Sequence, residues 1–114
     1  MTRFTLHVPL NLNDGSATPA EHIAHVEDTI LATAGGYTAT DAVGAWRDEL
    51  GRVYRDSIRL YTVDTSDPET VSAALTVLAE YLALELEQEA IYATWQPLAA
   101  ALVTAPAVEI PAAI

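Results

Sequence analysis

Gly35-Gly36-Tyr37-Thr38, Gly44-Ala45-Trp46-Arg47 and the run Arg52-Val53-Tyr54-Arg55-Asp56-Ser57-Ile58-Arg59-Leu60-Tyr61-Thr62-Val63 fill the middle of the chain. The glycine pair stops a helix, and the aromatic and β-branched residues that follow favour extended backbone. Between them Asp48-Glu49-Leu50-Gly51 reads as a hairpin loop with glycine where positive φ is needed. The stretch therefore reads as two consecutive antiparallel strands. Strong β formers are sparse from Gly36 to Trp46, so the first is expected to be irregular. In the second, Val53 is an odd position whereas Ile58 and Leu60 are even, and a bulge between Tyr54 and Ser57 is expected to reconcile them. Ser57, Arg59, Tyr61 and Val63 would then share a sheet face that meets solvent or a second subunit.

Upstream, Phe4, Leu6, Val8 and Leu10 alternate with Thr5, His7 and Pro9, the period of a strand with one buried face. Pro9 has no N–H, so this strand ends there or lies at an edge on that side. Asn13-Asp14-Gly15 is turn chemistry, and Thr18-Pro19-Ala20-Glu21 starts a helix with Thr18 as cap. Ile23, Val26, Ile30, Leu31 and Ala34 form its apolar stripe, and Gly35 ends it. Downstream, Asp67 caps a second helix with Pro68 in its first turn, and Val71, Ala74, Leu75, Leu78, Leu82 and Leu86 form a clean stripe. Ala90 to Trp95 reads as a short last strand closed by Pro97.

The order strand, helix, strand, strand, helix, strand is that of the α+β ferredoxin-like βαββαβ fold, a four-stranded antiparallel sheet with two helices on one face. Residues 1–96 are read as this domain and residues 97–114 as an Ala/Pro-rich C-terminal tail. At 114 residues, one core suffices, and a 51% hydrophobic, 18% charged composition excludes disorder. No apolar run is long enough for a membrane span and no signal peptide opens the chain, so a cytoplasmic protein with no membrane partner is expected. The absence of cysteine removes disulfides, thiolate nucleophiles and cysteine metal sites. The sheet face left without helices predicts a homo-oligomer.

A formal net charge of -11 argues against nucleic acid as a partner, because phosphate attraction needs cationic surface. Yet all five basic residues are arginines, and Arg47, Arg52, Arg55 and Arg59 cluster in the central hairpin. Planar guanidinium forks grip carboxylates and phosphates, whereas the plainer expectation is pairing with nearby Asp and Glu. Aromatics fall on every strand after the first. Arg55, Arg59, Tyr61, Trp46 and Tyr37 are the candidate ligand-binding residues, able to combine charge, stacking and cation–π contact. If Arg55 and Arg59 share one face they stand about 13 Å apart and bracket a nucleotide-sized anion. His22 and His25 on one helix, with His7 nearby, are read as structural rather than as zinc ligands. Glu85, Glu87 and Glu89 read as a solvated helix end. No catalytic motif, metal site or cofactor fingerprint is recognised, so no cofactor is expected.

The Gly-Gly-Tyr-Thr segment, the Gly-x-Trp that follows, the Tyr54 to Val63 strand and the Gln88-Glu89-Ala90-Ile91-Tyr92 segment together resemble a set of small phage and bacterial proteins of unassigned function. The resemblance spans roughly residues 4 to 95 and implies a compact α+β domain of phage origin. The leading functional expectation is a non-enzymatic oligomeric binding module for a small anionic ligand, such as a nucleotide, or for a protein partner. The alternatives are a small cofactor-independent enzyme with a sheet-face pocket, using His7 as acid or base, and a structural or interaction protein.

Overall fold

A computed structural model describes residues 1–103. The tail beyond residue 103, with Pro106 and Pro111, lies outside the described residues. The elements are β1 (Thr2–Pro9), α1 (Ala20–Ala34), β2 (Thr38–Arg47), β3 (Val53–Thr65), α2 (Pro68–Glu85) and β4 (Ala93–Pro97). The strands form one antiparallel sheet in the order β2-β3-β1-β4, which is the ferredoxin-like α+β arrangement.

The core forms where the alternating residues of the two central strands meet the helix stripes. Phe4, Leu6 and Val8 of β1 and Tyr61 and Val63 of β3 bury against Val26 and Ile30 of α1 and Val71, Leu75, Leu78 and Leu82 of α2. Asp67 caps α2 by accepting the Thr70 N–H, and Gly35 ends α1 at φ 83. Leu31, expected in the α1 stripe, is 48% exposed. Thr18 does not cap α1: its hydroxyl donates to the Pro9 carbonyl, Pro19 takes the cap position and the helix begins at Ala20.

Three expectations about the sheet are corrected. β2 is a regular strand from Thr38 to Arg47, paired one-to-one with β3 throughout. β3 runs without a bulge, its register to β2 and to β1 unbroken from Val53 to Thr65. Ser57, Arg59, Tyr61 and Val63 consequently lie on the side that faces the helices, where Tyr61 and Val63 are fully buried. The expected phase fails because Ile58 and Leu60, half-buried on the other face of the same stretch, carry a competing apolar phase. Beyond Pro9 opposite Ile58, a single further bond from the Leu10 N–H reaches the Ser57 carbonyl, so Val53 to Asp56 project with β2 alone. Both faces of this arm are wet, which leaves its apolar residues free of any one phase.

β4 starts at Ala93 rather than Ala90. The His7 backbone N–H donates to the Tyr92 carbonyl, and two residues on Pro9 has no N–H to continue that ladder. Among the described residues no helix is long and apolar enough to cross a membrane.

Candidate functional site

Where β1 leaves the sheet, an open cleft of about 1020 Å³ forms between the hairpin arm and two loops. His7 and Pro9 of β1 line its inner end. Gly44 to Trp46 and Tyr54 to Ile58 form the arm side, and Asn11 to Asn13 with Ala90 to Tyr92 form the other. The two loops are stitched together: Asn13 Nδ2 donates to the Glu87 carbonyl (2.9 Å), and Gln88 Nε2 donates to Asn13 Oδ1 (2.9 Å). Glu87 takes φ 52 to make the turn, a left-handed conformation unusual for a residue with a side chain.

Trp46 and Tyr54 are cross-strand partners and stack with ring centroids 4.4 Å apart and planes inclined by 16°. Half of the Trp46 surface remains exposed, at 54%. Asp48 fixes the pair, its Oδ2 accepting from the Tyr54 hydroxyl (3.1 Å) and from Arg52 Nε (2.8 Å). Partial burial, the largest single influence on Asp48, raises its pKa. The hydrogen bonds from Arg52, Tyr54 and Leu50 outweigh it, so the carboxyl sits below its ordinary value. At the inner end His7 packs edge-on against Tyr92, centroids 4.8 Å apart, and burial lowers the imidazole pKa. His7 is therefore neutral at pH 7.

The five candidate ligand residues divide into two groups. Trp46 and Arg55 line the cleft. Tyr37, Arg59 and Tyr61 lie together at the α1 side of the sheet and outside the cleft lining. There the Tyr61 hydroxyl donates to Glu27 Oε2 (2.7 Å), and Tyr37 meets the Tyr61 ring edge-on at 5.3 Å. Arg59 grips Asp41, its partner across the β2–β3 ladder, through Nε (2.6 Å) and Nη2 (3.1 Å). Burial foremost, then the Glu27 contact, pushes the Tyr61 phenol up to about 12. The hydrogen bonds from Arg59 hold the Asp41 carboxyl below its usual value.

Arg3 pairs with Asp64 and Arg52 with Asp48. Among the described residues, no carboxylate lies within ion-pair distance of Arg47 or Arg55. His22 binds the Tyr81 hydroxyl through Nδ1 (2.9 Å), and His25 packs on the same ring, centroids 4.5 Å apart. That pair is therefore a contact between α1 and α2. No group of three or more metal-ligating side chains gathers among the described residues.

Asn11, Asn13, Asp56 and Ile58 line the cleft without having been singled out as ligand candidates. Only the loop amides carried a signal. An asparagine at a turn tip that satisfies no local turn bond is available to reach across to a distant segment.

Two solved structures share this fold. One is a phage SAM lyase in complex with S-methyl-5'-thioadenosine, 17% identical, with a TM-score of 0.60 over 83% of this chain and 79% of that chain. The other is a phage SAM lyase in the apo state, 15% identical, with a TM-score of 0.63 over 83% of this chain and 78% of that chain. No family model and no curated protein matches the chain. The expectation of a non-enzymatic binding module gives way to this finding, because the solved chains that share the fold over most of this one are enzymes.

Proposed function

We propose that this chain is a phage-encoded cytoplasmic lyase that cleaves S-adenosylmethionine and releases S-methyl-5'-thioadenosine. The observation that carries the reading is the shared fold with SAM lyase chains across 83% of this chain. Its charge supports it. A chain at -11 repels anionic nucleotides at long range but attracts a sulfonium cation. The cleft supports it too. The stacked Trp46 and Tyr54 rings offer an aromatic face to adenine or to the sulfonium, and Arg55, without an ion-pair partner among the described residues, suits a carboxylate.

In such a cleavage the carbon–sulfur bond breaks, its electron pair returns to sulfur and the sulfonium becomes a neutral thioether. An oxygen of the substrate's own carboxylate attacks that carbon as the bond breaks and closes a lactone, so the new carbon–oxygen bond replaces the carbon–sulfur bond without water or a base. The sulfonium and carboxylate charges cancel along the way, so apolar lining from Pro9, Leu12 and Ile58 favours the transition state over the charge-separated substrate. Neutral His7 adds no repelling charge at the inner end.

The reading includes a homo-oligomer. The projecting arm exposes Val43 and Leu50 and carries Arg47, which has no ion-pair partner among the described residues, a surface suited to the acidic body of a second copy. To test the activity, purified protein is incubated with S-adenosylmethionine and the nucleoside products are separated by chromatography. S-methyl-5'-thioadenosine accumulating above the no-enzyme rate is the expected result. Neither turnover nor binding of that nucleoside at millimolar concentration would refute the proposal.

A further inference from the structure

The β1–β3 ladder stops one bond short of the cleft. Its last bond runs from the Leu10 N–H to the Ser57 carbonyl (2.9 Å). Leu12 would oppose Arg55 if the register continued, but the Leu12 N–H goes to the Ser16 carbonyl (2.8 Å) as the chain turns into the loop toward α1. On the other side of β3, the Asp48 N–H to Arg52 carbonyl bond shows that even-numbered residues of this strand pair with β2. Backbone groups alternate between neighbours in an antiparallel ladder, so the Arg55 N–H and C=O point away from β2 into the space β1 has vacated. That space is the cleft. Arg55 thus presents a backbone donor, a backbone acceptor and a guanidinium without a carboxylate partner among the described residues.

The geometry points to this edge as the seat for the α-amino-acid end of the substrate. An α-amino acid bound there mimics one residue of a missing strand. Its carboxylate accepts from the Arg55 N–H and guanidinium, and its ammonium donates to the Arg55 carbonyl. The Tyr54 and Trp46 rings lie one residue along and across the hairpin, which leaves the nucleoside to the aromatic side of the same cleft. The inference rests on the lyase reading and adds to it which end of the substrate binds where.

The test compares S-adenosylmethionine, S-methyl-5'-thioadenosine and free methionine by calorimetry and by amide proton NMR. The Arg55 amide is expected to gain protection from exchange with S-adenosylmethionine and, at higher concentration, with methionine, but not with S-methyl-5'-thioadenosine. Arg55→Ala is expected to weaken S-adenosylmethionine binding roughly tenfold, the effect of losing one charge-assisted contact. It should leave S-methyl-5'-thioadenosine binding unchanged. Arg55→Pro, which removes the N–H at a position without a ladder partner on that side, is expected to weaken S-adenosylmethionine binding further. Should this variant not fold, the amide protection in wild-type protein decides alone. Binding of both nucleosides with an unprotected Arg55 amide overturns this inference and leaves the lyase reading standing. Binding of neither overturns both.

Discussion

Replacing Tyr61 by Phe removes one oxygen from the interior and nothing else. The ring is fully buried between β3 and α1, and its hydroxyl donates to Glu27 Oε2 at 2.7 Å. Phe fills the same volume, so no cavity term arises. What is lost is one hydrogen bond to an ionised acceptor, worth about 1.5–3 kcal/mol. Solvent reaches the part-exposed Glu27, so the lower end, about 1.5 kcal/mol, is expected at pH 7. For 114 residues this lowers the melting temperature by roughly 6 °C.

The pH dependence separates this contact from simple packing. The phenol titrates near 10 in the unfolded chain and at about 12 in the fold. Between these values the folded state holds more protons, so stability is fully present below about pH 10 and falls as pH rises toward 12. The Tyr61 share of the loss across that window is on the order of 2 kcal/mol and is removed in Tyr61→Phe, while Tyr37, whose phenol burial also raises, keeps its own share in both proteins. Urea unfolding at pH 7, 10 and 11.5, followed by circular dichroism, measures both effects. Parallel alkaline loss in the two proteins, with equal midpoints at pH 7, would refute the reasoning.

Three further outcomes are expected. Glu87→Gly should raise stability by up to about 1 kcal/mol, because glycine adopts the left-handed turn without strain; a melting curve checks this, and a lower midpoint argues against it. Arg59→Ala should cost about 1 kcal/mol, since its partner Asp41 is more than half exposed although the Arg59 side chain is only 29% exposed, and titration calorimetry should show S-adenosylmethionine binding retained. Light scattering at tens of micromolar should show an assembly larger than the 12.2 kDa monomer, and a Val43→Asp, Leu50→Asp double variant should reduce its size.

The helices and the central strands were legible because each buries one continuous stripe. Val71 to Leu82 of α2 and Phe4 to Val8 of β1 carry their periods openly, and the order of elements follows from them. β3 misled for a physical reason: in its covered half Ile58 and Leu60 are half-buried on the open face while Tyr61 and Val63 are buried against the helices, so both phases are apolar there. Tyr61 illustrates the cost of that misreading, since a one-residue change of phase moves it from the open face to the core. Arg55 and Trp46 were visible as residue types suited to a ligand. The cleft that collects them was not, because it depends on the link between Asn13 and Gln88, 75 positions apart in the chain.

The hairpin arm has no helix above it and no β1 beside it, so its length is uncoupled from the packing of the core. Its growth is nevertheless quantised. Each step must add two residues to each strand, roughly 6.6 Å of reach, because a single added pair would turn Trp46 and Tyr54 to the opposite face and take Arg55 off the vacated edge. Variation in how far such an arm extends, and therefore in how much of the cleft it roofs, is expected to come in these increments.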